Sequence, residues 1–169
     1  SDLGSADAFG VYTNDLLNAF RNGILYIGAK AGNGQPFTGE LDDLRIVDAV
    51  LTTNQFMQAH TDGTPRVVAY WPFARGTEQA DAAGHFALAM LQAGEVEFND
   101  GAAVFKGHSG LFTPLRVDLS GFKAITAECF VRTVSTNQIS NLLETSGNFN
   151  EVPGTFVVST SMLNIDEMG

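Results

Sequence analysis

Basic residues, cysteine and long apolar runs are all scarce in this chain, and each scarcity argues against a class of protein. Nine lysines and arginines face 19 acidic residues, which gives a net charge of −10. Binding to nucleic-acid phosphates needs the opposite, a basic surface. No segment approaches the ~20 apolar residues of a membrane helix, and the polar start of the chain is not typical of a signal peptide. We expect neither a nucleic-acid partner nor membrane insertion.

Cysteine and histidine are too sparse for the common metal sites. Cys129 is alone, which excludes an intrachain disulfide and a cysteine-based zinc cluster. It stands in the alternating segment 127–131, which predicts a core or half-buried thiol. The histidines His60, His85 and His108 are too far apart in sequence to suggest a ligand set, so we interpret them as surface or turn residues.

Short alternating apolar runs, separated by clusters of turn residues, dominate the 169 residues. A series of short strands like this is typical of an antiparallel sandwich or barrel. The residues Asn99, Asp100 and Gly101 predict a hairpin turn, because all three tolerate a positive φ. The capping-box spacing of Thr52 and Gln55 predicts a short helix over 53–59. Strands are predicted at 10–13, 24–29, 39–47, 67–73, 86–92, 96–98, 103–105, 124–133, 139–146 and 154–159.

Two blocks of the sequence resemble a known family. The segments 25–28 (LYIG) and 37–46 (FTGELDDLRI) resemble the closing strands of laminin-G-like domains, which have the concanavalin A-like jelly-roll fold. The later segments 67–73 (VVAYWPF), 81–85 (DAAGH) and 124–132 (AITAECFVR) resemble the family's opening strands. The resemblance implies an all-β, antiparallel β-sandwich in which the closing motifs precede the opening ones.

This inverted order divides the chain into a block of closing strands at 1–63 and a block of opening strands at 64–169. Relatives carry further strands between the two blocks, with a WHHVA core and a YVDG hairpin, and neither motif is present here. Three arrangements remain open. The chain is a segment cut across two tandem domains, a circular permutant whose halves pair within one chain, or a homodimer formed by exchange of halves.

The resemblance also implies a function. Laminin-G-like relatives are mostly non-catalytic modules of secreted or cell-surface bacterial proteins, and they bind glycans or other proteins. The leading hypothesis is therefore an extracellular carbohydrate-binding or adhesion module whose partner is a glycan or a cell-surface protein. Two alternatives stay open: a structural or protein-interaction module with no glycan ligand, and a fragment of a glycoside hydrolase-associated protein.

Acidic residues in the segment 40–45 invite comparison with jelly-roll glucanases, which carry a Glu-x-Asp-x-x-Glu motif on one strand. Glu40 and Asp42 fit the first two positions, but Arg45 occupies the third. A guanidinium cannot deliver a proton as a carboxylic acid does. We therefore expect no catalysis by this motif and no catalytic residues.

Sugar binding uses exposed aromatic rings with polar neighbours, and calcium uses carboxylate and carbonyl oxygens. The sole tryptophan, Trp71, lies in a predicted core strand, so we expect it to be buried. Tyr12 and Tyr26 are the aromatic candidates for a ligand site. Loop residues add two kinds of candidate: Asn148 and Asn150 for the ligand, and Asn150 with Glu151 for Ca²⁺, the one cofactor that the sequence suggests.

Overall fold

Strands make up nearly all regular structure in the computed structural model, which describes residues 6–13, 23–29, 36–57, 66–92, 95–133, 140–145 and 157–159. No helix among these residues has the length and apolar content that crossing a membrane requires. A 3-10 turn spans Thr53–Gln55. The strands are β1 (Ala6–Thr13), β2 (Leu25–Ile27), β3 (Thr38–Val47), β4 (Val67–Trp71), β5 (Ala89–Met90), β6 (Val96–Asn99), β7 (Ala102–Lys106), β8 (Leu111–Phe112), β9 (Ala124–Thr133), β10 (Asn141–Thr145) and β11 (Val157–Ser159).

The strands form two sheets around one apolar core. One sheet has six strands in the order β1-β9-β3-β7-β6, with β4 also paired to β3, and the other has five in the order β11-β10-β2-β8-β5. Every strand pair is antiparallel. The predicted all-β antiparallel sandwich is confirmed, whereas the concanavalin A-like connectivity stays a prediction.

Strand β3 is the centre of the six-stranded sheet. Along one edge it pairs with β9 over nearly its whole length, from Gly39 opposite Thr133 to Val47 opposite Thr126. Its other edge is shared, because β7 pairs with the first half of the strand and β4 with the second. In the other sheet, β2 pairs with β8 and β10. Strands from before and after residue 64 therefore share both sheets within one chain.

A bulge interrupts the ladder between β3 and β9. Asp42 lies opposite Phe130 and Arg45 opposite Glu128, so three steps along β3 match two along β9. Asp43 lies within the extra stretch and has a φ of 52°, a left-handed conformation that Asp adopts more readily than most residues. An inserted residue shifts the alternation of side chains between the two faces. The bulge therefore sets which face the charged side chains of β3 occupy.

Large aromatic side chains fill the space between the sheets. Trp71, Phe37 and Phe105 are at most 1% exposed, and each such burial stabilises the fold by about 1.5–3 kcal/mol. The indole of Trp71 also donates a hydrogen bond to the carbonyl of Phe86 at 2.7 Å, so its polar atom is satisfied in the core. The predicted burial of Trp71 and Cys129 is confirmed.

The hairpin predicted around Asp100 is present. Asn99 pairs with Ala102, which leaves a two-residue turn of Asp100 and Gly101. Their φ values of 49° and 88° are the two positive values that a type I′ turn requires. The turn residues thus determine both the position and the tightness of the connection between β6 and β7.

The helix predicted over 53–59 is wrong beyond its first turn. The side chain of Gln55 accepts a hydrogen bond from the Thr52 amide at 3.0 Å, which is one of the two bonds of a capping box. It also accepts one from the Thr52 hydroxyl at 2.9 Å. Helical winding then stops, because Met57 has a φ of 52° and its amide donates to Glu128 on β9 at 2.8 Å. The last two residues of the predicted helix lie outside the described residues.

The observed strand boundaries differ most from the predicted ones in the five-stranded sheet. The predicted strand at 86–92 is reduced to Ala89–Met90, and the sequence gives no sign of its partner Leu111–Phe112. Two-residue strands are too short to display the alternation from which strands are recognised. These two strands form because the backbone N–H and C=O groups of the two segments lie opposite one another and pair.

Candidate functional site

A cleft of about 370 Å³ opens at one end of the six-stranded sheet. It lies between two turns that are distant in sequence: the segment that follows β4, and the tip of the β6–β7 hairpin. Its size falls in the range of about 300–1,000 Å³ that is typical of small-molecule sites. The lining residues are Phe73, Arg75, Glu78, Phe98, Asn99, Asp100 and Gly101.

The first wall is a tight turn held by its own hydrogen bonds. The amide of Thr77 donates to the carbonyl of Ala74 at 2.9 Å. The amide of Gly76 donates to Oε1 of Glu78 at 2.8 Å, and this bond to the backbone lowers the pKa of the Glu78 carboxyl below its ordinary value. Gly76 has a φ of 85°, which suits glycine. The turn thereby fixes an ionised carboxylate and the neighbouring Arg75 at the edge of the cleft.

The second wall is the type I′ turn of the hairpin. Two exposed side chains, those of Asn99 and Asp100, line the cleft there. The two-residue turn restricts the backbone to one conformation, because both turn residues lie in the left-handed region. An amide and a carboxylate therefore face the cleft from a rigid support.

Two stacked phenylalanines form the apolar part of the cleft. Phe73 and Phe98 have ring centroids 6.1 Å apart and ring planes 27° from parallel. Phe73 is fully buried, whereas Phe98 is half-buried. Phe73 also has a φ of 48°, a conformation that costs a bulky side chain on the order of 1–3 kcal/mol and is common at ligand sites. The buried ring thus supports a partly exposed one.

A buried carboxylate positions the chain behind the first wall. Asp81 is only 8% exposed and accepts four backbone hydrogen bonds at 2.8–3.0 Å. The donors are the amides of Tyr70 on β4 and of Ala83, His85 and Phe86 in the following turn. These bonds join the returning chain to β4, so the intervening turn that lines the cleft is held at both ends.

The chemistry of the cleft suits a polyhydroxylated ligand. A half-buried aromatic ring offers an apolar surface to the C–H face of a sugar. Around it, Arg75 donates hydrogen bonds, Glu78 and Asp100 accept them, and Asn99 does both. An apolar patch with a few convergent polar groups is the usual composition of a ligand site.

Tyr26, predicted to bind the ligand, lies away from this cleft. It is on β2 in the five-stranded sheet, half-buried and stacked on Phe112 with ring centroids 6.4 Å apart. Its two strand neighbours belong to the core, so Tyr26 points to the outer face of that sheet. Tyr12 is on β1, and its side chain is outside the described residues. Outside them also lie the three loop candidates for ligand and calcium, Asn148, Asn150 and Glu151.

Two carboxylates of the glucanase-like segment, those of Glu40 and Asp43, have partners on neighbouring strands, and the motif residue Asp42 is buried on β3. Glu40 forms an ion pair with Arg132, which lies directly opposite on β9. Asp43 accepts a hydrogen bond from the hydroxyl of Tyr70 at 2.5 Å. Burial raises the pKa of the Tyr70 hydroxyl, and the hydrogen bond to Asp43 and the charge of that carboxylate raise it further.

Arg45 occupies the third position of that segment, and its charge is paired in the fold. Its Nε donates to Oε1 of Glu128 at 2.6 Å, and its Nη2 forms an ion pair with the same oxygen. The side chain of Glu128 is fully buried and that of Arg45 is 10% exposed. Met57 covers the pair by donating its amide to the second oxygen of Glu128. The arrangement is a buried structural ion pair.

Histidines of the described residues bond to the backbone. Nδ1 of His85 lies 3.0 Å from the carbonyl of Val68, and Nδ1 of His108 lies 3.1 Å from the carbonyl of Lys106. Within the described ranges, no group of three or more His, Cys, Asp or Glu side chains is arranged to hold a metal ion. The predicted calcium site involves other residues and stays a prediction.

Sequence reasoning missed the residues of the cleft. Phe98 was visible only as part of a strand, and Arg75 and Glu78 as part of a connection. One local signal was available, since an aromatic residue directly precedes the Asn-Asp-Gly turn and therefore lies at the tip of a hairpin. Nothing in the sequence indicates that a turn about 20 residues earlier packs beside this tip.

Comparison with protein-family models, with curated proteins and with solved structures found no match to this chain. The resemblance to laminin-G-like domains therefore rests on the sequence segments quoted above and stays a prediction. The cleft and its side chains are the observations from which a function can be inferred.

Proposed function

We propose that this protein is a non-catalytic carbohydrate-binding module and that the sugar binds in the cleft between the β6–β7 hairpin and the turn after β4. The observation that carries the proposal is the combination of a half-buried Phe98 with polar side chains on both walls. The resemblance to laminin-G-like domains points to the same class of function. A secreted or cell-surface location is part of the proposal and rests on that resemblance alone.

Phe98 is proposed to supply most of the binding free energy. Stacking a pyranose on an aromatic ring removes apolar surface from water, and each Å² removed contributes about 25 cal/mol. The polar side chains contribute orientation more than affinity, because their hydrogen bonds to the sugar replace bonds to water. Loss of the ring should therefore weaken binding to every sugar that the cleft accepts.

The environment of the glucanase-like segment on β3 argues against catalysis by that segment. A glycosidase of the common type holds two carboxyl groups on either side of the scissile bond, about 5–10 Å apart, with one able to give up a proton. Here Glu40 is paired with Arg132, Asp42 is only 7% exposed, and Arg45 stands in the third position. None of these three residues lines the cleft.

A glycan array tests the proposal when it is run in calcium and again in EDTA. The native protein should bind a defined class of sugars, and Phe98→Ala should lose that binding. Phe122→Ala is the matched control, because Phe122 is also half-buried but lies outside the cleft. Trp71 fluorescence checks that both variants are folded. Loss of binding in EDTA would support the calcium proposal for Asn150 and Glu151.

Two outcomes would contradict the assignment of the site. Binding that survives Phe98→Ala but is lost in Tyr26→Ala would place the sugar on the outer face of the five-stranded sheet. An array with no bound glycan would refute carbohydrate binding and favour the structural or protein-interaction alternative.

A further inference from the structure

We infer that the cleft selects uncharged glycans and discriminates against acidic ones, such as sialylated, sulfated or uronic-acid sugars. This inference rests on the proposed function, because it names the ligand class of the same cleft. The observation behind it is the balance of charges on the two walls.

The walls of the cleft carry one positive and two negative side chains. Arg75 and Glu78 belong to the same turn, so their charges largely offset one another there. Asp100 stands on the opposite wall, and the described residues that line the cleft include no second cation. These described lining residues have a formal charge of −1, within a chain whose net charge is −10.

The hydrogen-bonding capacity of the cleft points the same way. Carboxylates such as Glu78 and Asp100 can only accept hydrogen bonds, and a sugar hydroxyl can donate to them. An acidic sugar instead brings a carboxylate or sulfate that can only accept. Placed beside Glu78 or Asp100, such a group meets a like charge and forms no hydrogen bond. Exclusion by an unpaired charge is a common source of specificity.

The geometry keeps the two carboxylates in place. Glu78 is held by the amide of Gly76 at 2.8 Å, and Asp100 is fixed in a two-residue turn. Glu78 cannot leave its position without losing this hydrogen bond, and the side chain of Asp100 departs from a backbone that cannot move without opening its turn.

Its size follows from the charges. Two like unit charges 4 Å apart in water repel by an amount that corresponds to about fivefold in affinity. Exposed charges are screened by salt, with a Debye length of about 10 Å at 0.1 M. An acidic glycan whose charge lies about 4 Å from one of these carboxylates should therefore bind up to about fivefold more weakly than its neutral counterpart at low salt, and the difference in affinity should narrow as salt is added.

The test measures matched pairs of glycans by titration calorimetry at low and high salt. The probes are the neutral glycans that bind best on the array, each compared with its sialylated, sulfated or uronic-acid form. Asp100→Asn and Glu78→Gln remove one charge each. Asn tolerates the left-handed turn position, and Gln retains an oxygen for the Gly76 amide. Asp118→Asn is the control, because it changes the net charge equally outside the cleft.

The expected result is a weaker affinity for the acidic glycans, by up to about fivefold at low salt, and this difference should narrow in Asp100→Asn and Glu78→Gln but not in Asp118→Asn. Acidic glycans that bind as tightly as neutral ones would overturn the inference and leave the proposed function intact. A gap that Asp118→Asn narrows equally would also overturn it, since net charge rather than the cleft would then be responsible. Failure of all glycans to bind would overturn the proposed function and this inference with it.

Discussion

Replacing Arg45 by Met should destabilise the protein severely. The change keeps an unbranched apolar stem but removes the cation from Glu128, whose side chain is fully buried. Breaking a buried ion pair from one side typically costs about 3–5 kcal/mol, because the remaining charge is left in a medium of low dielectric constant. A domain of this size has about 5–15 kcal/mol of stability. One substitution therefore puts about a fifth of that stability or more at risk.

Urea unfolding followed by fluorescence measures the effect directly. Trp71 is the sole tryptophan and is fully buried, so its emission reports the loss of the core. With a urea dependence of about 2 kcal/mol per molar, the unfolding midpoint should fall by about 1.5–2.5 M. Arg132→Met is the matched control. It removes the more exposed pair with Glu40 on the same two strands, and it should cost about 1 kcal/mol or less.

A double variant separates the charge effect from packing. Glu128→Leu in the Arg45→Met background removes the unpaired carboxylate, so the double variant should be more stable than Arg45→Met alone. It should not fully recover, because the Met57 amide loses its acceptor. Two results would refute the reasoning: a cost for Arg45→Met no larger than for Arg132→Met, or effects of the two substitutions that simply add.

Two further substitutions test the outer face of the six-stranded sheet and the packing between the sheets. The pKa of Tyr70 is raised above its ordinary value of 10.0, so folding favours the neutral hydroxyl. The resulting contribution to the free energy of unfolding is complete below pH 10 and is lost as the pH rises above 10. Urea titrations at pH 8–11 should show a difference in free energy of unfolding between the native protein and Tyr70→Phe that shrinks above pH 10. A difference that does not change with pH would contradict the raised pKa of Tyr70. Gly28→Ala should cost about 2–5 kcal/mol in the same assay, because Gly28 has a φ of +74° and an added Cβ would lie 2.2 Å from a buried ring of β7. Gly121→Ala, where φ is outside the left-handed region and nothing lies within 4 Å, should change stability by less than about 0.5 kcal/mol.

Some of the architecture can be predicted from the sequence because its causes are local. Alternation of apolar and polar residues predicts β3 and β9 almost to the residue, since successive side chains of a strand point to opposite faces of the sheet. Turn chemistry predicts the two-residue turn at Asp100 and Gly101, because few residues accept its backbone conformation. Trp71 is recognisable as a core residue from its position in an apolar strand.

Other features have causes that lie elsewhere in the chain. The helix expected over 53–59 ends early because Met57 bonds to Glu128, 71 residues further along. From the sequence, Arg45 is only a departure from the glucanase motif, and its structural role becomes visible through its partner Glu128, 83 residues away. Both contacts form only after β3 and β9 have paired, so local sequence does not encode them.

The candidate site divides in the same way. Its two walls are local structures. The turn with Arg75 and Glu78 and the β6–β7 hairpin that carries Phe98 are each determined by a few neighbouring residues. The position of one wall beside the other is not determined locally. It depends on the pairing of β4 with β3 and of β6 with β7, which places β4 and β6 in the same sheet. The sequence by itself determined the strands, the turns and the burial of the core. Only the tertiary structure decided which turns face each other across a cleft, because that choice depends on pairings between distant strands.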